Sequence, residues 1–216
     1  MTDSDVSPEL RRATLSGARW TASSRLAAEL VAFSSSVILA RLVPPSEFGY
    51  AAVALIVIAL SAVLGAGGVT ATVVQRSNLS PSAVASVWAL GFVLGCCMTL
   101  LSIGLSVTVV GSVFGERTAQ LTLLASPAWL LVGIGSTSVA LLQRALRFRA
   151  LAAIEATSVI VSAASAVALA LGGADGEAIV AGGLILVALT AIVSFAVSPP
   201  RGWPPTLAEV RKSIAF

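Results

Sequence analysis

The stretch from Trp20 to Val43, WTASSRLAAELVAFSSSVILARLV, constrains the fold more than any other part of the chain. At about 1.5 Å per helical residue it is long enough to cross a hydrocarbon core of roughly 30 Å. Apolar runs of similar length recur as far as Val197, separated by short turns containing proline, glycine or arginine. Charged residues make up only 11% of the sequence and hydrophobic ones 57%, whereas a soluble domain carries about 25% charged residues. In lipid, a continuous apolar run satisfies its backbone polar groups by forming a helix. The sequence therefore reads as an all-α, polytopic membrane protein.

The same stretch carries Arg25 and Glu29 within its apolar run. At 100° per residue Thr21, Arg25, Glu29, Ala32 and Ser36 fall on one narrow stripe, away from Leu30, Val31, Val37 and Ile38. Ionisable groups inside a span are costly and usually face a bundle interior or a water-filled cavity. The pattern predicts a helix that lines something polar.

Several chemistries are excluded early. The chain has no histidine, which removes histidine-based acid–base catalysis, Ser–His nucleophiles and His-containing metal sites. Cys96 and Cys97 are adjacent, point about 100° apart on a helix and read as packing residues. No metal, cofactor or enzymatic activity is expected. The glycines at 65–68 (GAGG) read as a close-packing cluster, since no lysine follows at the spacing of a phosphate loop. The net charge of +3 comes from arginines in short loops, where topology explains it and nucleic-acid binding is not implied.

In chain order, residues 1–19 form a cytoplasmic N-terminal segment in which PELRRATLSGARW suggests a short interfacial helix. With no small-residue cleavage site after it, the first apolar run reads as a retained span. Pro44 and Pro45 end that span, and Ser46 is placed to cap the next helix. Further spans are expected at about Phe48–Val74, Ala83–Val110, Thr118–Gln143 with a kink at Pro127, Ala150–Leu171 and Ala178–Val197. Residues 20–197 thus make a six-helix lobe, and 198–216 a cytoplasmic tail. With Arg25 set aside as intramembrane, ten basic residues fall on the side of the chain ends and only Arg41 and Arg117 on the other. That bias places both termini in the cytoplasm, and the chain in the cytoplasmic (inner) membrane.

Three segments in order, SSRLAAELVAFSSSVILARLVPPSEFGYAAVALIVI, VVQRSNLS and LLQRALRFRALAAIEATSVIVSA, resemble oligosaccharide flippases of the multidrug/oligosaccharidyl-lipid/polysaccharide exporter superfamily. The nearest likeness is to its polysaccharide biosynthesis, Wzx-like branch. ILARLVPPSEFG resembles the turn between that branch's first two helices, and LLQRALRFRALAAIE its junction between helices four and five. The resemblance implies one six-helix lobe of a two-lobe transporter that alternates access to move lipid-linked sugars. TLAEVRKSIAF resembles the approach to a seventh helix. The implied activity is translocation of a lipid-linked oligosaccharide, a polysaccharide or lipopolysaccharide precursor, by a half-length or truncated flippase that does not act as a monomer. Its implied partners are membrane lipid, the lipid-linked oligosaccharide and a second lobe or second copy. The competing reading is a non-transporting scaffold, or a subunit that requires a separately encoded lobe.

The resemblance gives roles to the charged residues. Arg25 resembles an arginine in the first helix of the related lipid II flippases, implying that Arg25 and Glu29 meet the substrate. A guanidinium offers planar, bidentate donors that suit phosphate oxygens. Two other readings stand beside this one: Arg25 snorkels to headgroups, or Glu29 neutralises it four residues on. Glu155, early in its span, either couples an ion or proton or simply complements a helix N-terminus. Arg144, Arg147 and Arg149 form a basic cluster that sets topology and faces cytoplasmic lipid, or else touches substrate directly.

Overall fold

The computed structural model describes residues 8–65 and 81–200, with side chains from Ser23 onward in the first segment. All regular structure among these residues is helical. The helices are α1 (Pro8–Leu42), α2 (Pro45–Gly65), α3 (Pro81–Leu105), α4 (Gly111–Phe114), α5 (Glu116–Ala125), α6 (Ala128–Arg144), α7 (Phe148–Leu171) and α8 (Gly176–Val197). The end of the expected second span, the loop QRSNLSPS and the tail from Arg201 lie outside the described residues, as do the side chains of Arg11, Arg12, Arg19 and Thr21.

Three of these helices start on a proline, Pro8, Pro45 and Pro81, at the position where a missing N–H costs nothing. Helix α2 therefore begins one residue before Ser46, which sits inside the first turn and not at the cap. Helix α1 also departs from expectation. It runs unbroken for 35 residues, about 52 Å, where a short interfacial helix and a separate span are expected from the sequence. No proline lies between Pro8 and Pro44 to interrupt its hydrogen-bond ladder.

Among the described residues, five helical segments are long and apolar enough to cross a membrane: Pro45–Gly65, Pro81–Phe114, Glu116–Arg144, Phe148–Leu171 and Gly176–Val197. The serine- and charge-bearing α1 is not among them. Segment Pro81–Phe114 stays helical through a π turn at Ser106–Val110, which joins α3 to α4. Segment Glu116–Arg144 breaks between Ala125 and Ala128, where Pro127 supplies no N–H and Ser126 bonds back to Leu123.

Half of the Glu116–Arg144 window is buried, against 17% of Pro81–Phe114, so α5 and α6 are central and α3 is peripheral. The core is built from small side chains. Ala51, Ala54 and Ile58 of α2 pack with Leu121 and Ala125 of α5, Ala128 of α6 and Val180 of α8. A second cluster joins Leu39 and Val43, at the end of α1, to Ala166 of α7. Between α3 and α6, Gly133 leaves no room for a Cβ against the backbone of Gly91 and Gly95. Such close approach is how helices gain contact in lipid, where water drives nothing together. The Trp88 indole N–H donates to the Ile134 carbonyl across this seam at 3.1 Å.

Two helix ends use the same stop motif. At the end of α6, Arg147 N–H donates to Leu142 O at 3.0 Å and Leu146 N–H to Gln143 O at 3.0 Å. At the end of α7, Ala174 N–H donates to Leu169 O at 3.0 Å and Gly173 N–H to Ala170 O at 3.1 Å. This paired arrangement needs a left-handed residue just past the helix, normally glycine. Gly173 fills that place with φ 87°, and Leu146 fills it with φ 53°.

Candidate functional site

Glu47, Arg117 and Glu177 occupy the first turns of α2, α5 and α8. They meet, so these three N-termini lie at one end of the bundle. The Arg117 guanidinium donates from Nη2 to Glu47 Oε2 and to Glu177 Oε2, each at 2.8 Å. Glu47 Oε2 also accepts the backbone N–H of Gly176 at 3.1 Å. A Cβ on Gly176 would lie 2.5 Å from that carboxylate oxygen and 2.7 Å from Leu121 Cδ1. Carboxylates at helix N-termini suit the macrodipole, and the planar fork of one arginine serves both. Sequence reasoning counts Arg117 only towards topology and misses this cluster. The available signal is a glutamate in the first turn of two apolar helices, each just after a proline or aspartate turn.

The opposite end holds a cleft of about 380 Å³ between α1, α2, α6, α7 and α8. Its walls come from the second half of α2 and α8, the middle of α6 and the first half of α7. Small residues open it: Ala28, Ala62, Gly65, Ala152 and Ala156 line it where larger side chains would fill the space. Val132, Val139, Val159, Leu186 and Val187 keep it largely apolar. Ser24, Ser136 and Thr190 add hydroxyls.

Three charged residues line this cleft, Arg25, Glu29 and Glu155. Arg25 and Glu29 are brought in by the turn of α1 that also presents Ser24 and Ala28, and Glu155 by the facing stripe of α7 that includes Ala152, Ala156 and Val159. All three are exposed to the cleft or its mouth. Among the described residues no hydrogen bond or ion pair engages any of them, and Arg25 and Glu29 do not pair across their one-turn separation. The cleft therefore carries one positive and two negative formal charges. Its chemistry is a planar, bidentate hydrogen-bond donor in a largely apolar wall, beside two carboxylates.

Of the other described members of the predicted stripe, Ala32 and Ser36 do not line the cleft. Ala32 is half-buried and Ser36 is exposed, its hydroxyl donating to Ala32 O at 2.9 Å. Arg144, Arg147 and Arg149 lie at the α6–α7 turn and do not line the cleft. Arg144 is half-buried; Arg147 and Arg149 are exposed. Among the described residues no three acidic or cysteine side chains gather as metal ligands would. Sequence reasoning also misses the buried hydroxyls of Thr137, Ser138, Ser158 and Ser194, which have no hydrogen-bond partner among the described residues. They sit on α6, α7 and α8 around the cleft half of the bundle, and nothing in a serine-rich apolar helix marks them out beforehand.

Residues 38–215 match the family described as polysaccharide biosynthesis protein. The chain is 25% identical over 213 residues to an uncharacterized membrane protein in the cps region of Klebsiella pneumoniae, covering 96% of this chain and 44% of that protein. It is 28% identical over 152 residues to the lipopolysaccharide biosynthesis protein WzxC of Escherichia coli (strain K12), covering 70% of this chain and 31% of that protein. The chain thus spans less than half the length of either curated relative. No solved structure matches significantly.

Proposed function

Because the chain belongs to the polysaccharide biosynthesis protein family and carries several apolar helices of membrane-crossing length, we propose that it takes part in moving a lipid-linked oligosaccharide across the cytoplasmic membrane. The observation that carries this reading is the cleft, in which Arg25 stands unpaired among the described residues in an apolar wall beside Glu29 and Glu155. An apolar cleft accepts the lipid-proximal part of such a substrate, and a guanidinium meets its phosphate oxygens. Glu29 and Glu155 together outweigh Arg25 by one charge. An anionic substrate is then favoured when a carboxylate holds a proton or a coupling cation, and Glu155 is the residue we assign to that step. The role is transport and not covalent chemistry.

In this reading α1 is the sixth span. Its 35 residues exceed the membrane thickness, and two of its charged residues, Arg25 and Glu29, line the cleft. The chain ends and the Arg144–Arg149 turn then face the cytoplasm, as the arginine distribution favours. Helix α1 packs chiefly on α7, leaving the mouth of the cleft open beside it. A second lobe or second copy would close that side and allow alternating access around a site between two bundles.

The test is complementation of a strain lacking its flippase, read as surface polysaccharide. We expect the wild-type chain, together with the second lobe or second copy that closes the cleft, to restore it and Arg25→Gln to fail at equal membrane abundance. Restoration by Arg25→Gln at the wild-type level would remove the cleft from the mechanism. Reporter fusions after Gly173 and after Val197 check orientation, and a cytoplasmic signal from the first would overturn the six-span topology.

A further inference from the structure

The turn joining α6 to α7 breaks a local rule that the turn after α7 keeps. Both use the same pair of stop hydrogen bonds, and both need a left-handed residue. Glycine serves at 173; at 146 a leucine is forced to φ 53°. Packing within the protein offers little compensation, since Leu146 is 73% exposed. A strained, bulky residue persists where something over-determines it, and such outliers gather at functional positions.

The neighbours of Leu146 indicate what that something is. Phe148 is 48% exposed. Arg147 and Arg149, which alternate with these two apolar residues, are exposed as well. The Arg147 side chain has no hydrogen bond or ion pair among the described residues. No acidic residue occurs between Glu116 and Glu155, so the turn's own stretch of chain carries basic charge only. The tip thus presents two apolar side chains and two guanidinium groups together, at the end of a helix pair of membrane-spanning length.

We propose that this turn is a docking site for anionic phospholipid, with Leu146 and Phe148 entering the acyl boundary while Arg147 and Arg149 hold headgroup phosphates. Basic residues next to a membrane surface attract anionic headgroups, and guanidinium forks bind phosphate oxygens bidentately. A left-handed glycine would give the same turn without the apolar anchor. Leucine keeps the turn and adds the anchor, which accounts for a residue that the backbone alone disfavours. The surface is separate from the cleft and does not depend on what the cleft binds.

The experiment uses full-length protein in nanodiscs of phosphatidylcholine with graded phosphatidylglycerol. It measures the rise in Tm with phosphatidylglycerol and the number of these lipids retained on extraction, by native mass spectrometry. Arg147→Gln with Arg149→Gln should lower retention roughly fivefold per arginine and remove most of the Tm rise. Leu146→Gly should gain less than wild type from phosphatidylglycerol. Arg41→Gln, the same substitution of a single arginine at an exposed position of the other end, should leave the response intact. Equal phosphatidylglycerol responses in wild type and all variants would overturn the proposal. So would a photoreactive group at position 146 that labels a protein chain and not lipid.

Discussion

The two ends of the bundle treat charge and backbone in opposite ways. At the end where α2, α5 and α8 begin, Arg117 is matched to two carboxylates and Glu47 also takes a backbone N–H. The left-handed position there is a glycine, Gly173. At the other end Arg25, Glu29 and Glu155 line a cleft without partners among the described residues, and the left-handed position is a leucine. Sequences usually satisfy every local rule except where function requires otherwise. By that measure the first end is a brace, and the second is the end to which we assign ligand and lipid.

The largest expected effect comes from breaking the brace. Arg117→Gln leaves Glu47, only 14% exposed, without its cation. A fully buried broken pair costs about 3–5 kcal/mol and an exposed one about 0–1 kcal/mol. Arg117 and Glu177 are about a third and two-fifths exposed, at 34% and 43%, so we expect a loss of about 2 kcal/mol. Thermal unfolding in detergent measures it, and adding Glu47→Gln should recover part of the loss. Gly176→Ala should follow at about 1–3 kcal/mol, because its Cβ has to displace the Glu47 carboxylate and Leu121. An unchanged Tm for both variants would mean that this end is not braced.

The contrast between the ends is only half legible in the sequence. Apolar run lengths and proline positions give the helices and their order, because backbone satisfaction in lipid leaves little choice. The break at Pro127 is legible for the same reason. The unbroken course of α1 is not, since a polar, arginine-bearing start reads equally as an interfacial helix. Helical periodicity puts Arg25 and Glu29 on one face, and the structure adds Glu155 from a helix about 125 residues further along the chain. No local pattern could bring those three together. The brace is hidden likewise, because Arg117 meets carboxylates 70 and 60 residues away, and pairing over such separations is set by tertiary packing. Leu146 is hidden because its strain is a property of φ, and a leucine after a helix carries no mark of it.

At the cleft end the expectation concerns function and leaves stability largely alone. Arg25→Lys keeps the charge and loses the planar two-donor fork. Losing one charge-assisted hydrogen bond to a phosphate corresponds to about a tenfold fall in transport. Because no partner among the described residues depends on Arg25, the variant's stability should stay within about 0.5 kcal/mol of wild type, the range for surface changes. Equal losses of protein level and polysaccharide export would instead make Arg25 a structural residue, and the two ends would then differ less than their charges indicate.

The smallest effects are also the most selective, because they exchange one residue type between the two matching turns. The left-handed conformation costs a non-glycine residue about 1–2 kcal/mol. Glycine gives back about 0.5–1 kcal/mol through its greater freedom in the unfolded chain. In a lipid-free micelle, Leu146→Gly should therefore stabilise the protein by about 0.5–1 kcal/mol and Gly173→Ala should destabilise it by a similar amount. A Cβ at position 173 would meet nothing within 4 Å, so the second change reports the backbone alone, free of any clash. Leu146 is mostly exposed, so the first change removes few contacts within the protein. Unfolding curves of the two variants in one detergent should move in opposite directions by similar amounts. If Leu146→Gly instead destabilises the protein in the micelle, the leucine is held by packing and not by lipid, and the turn after α6 is as ordinary as the turn after α7.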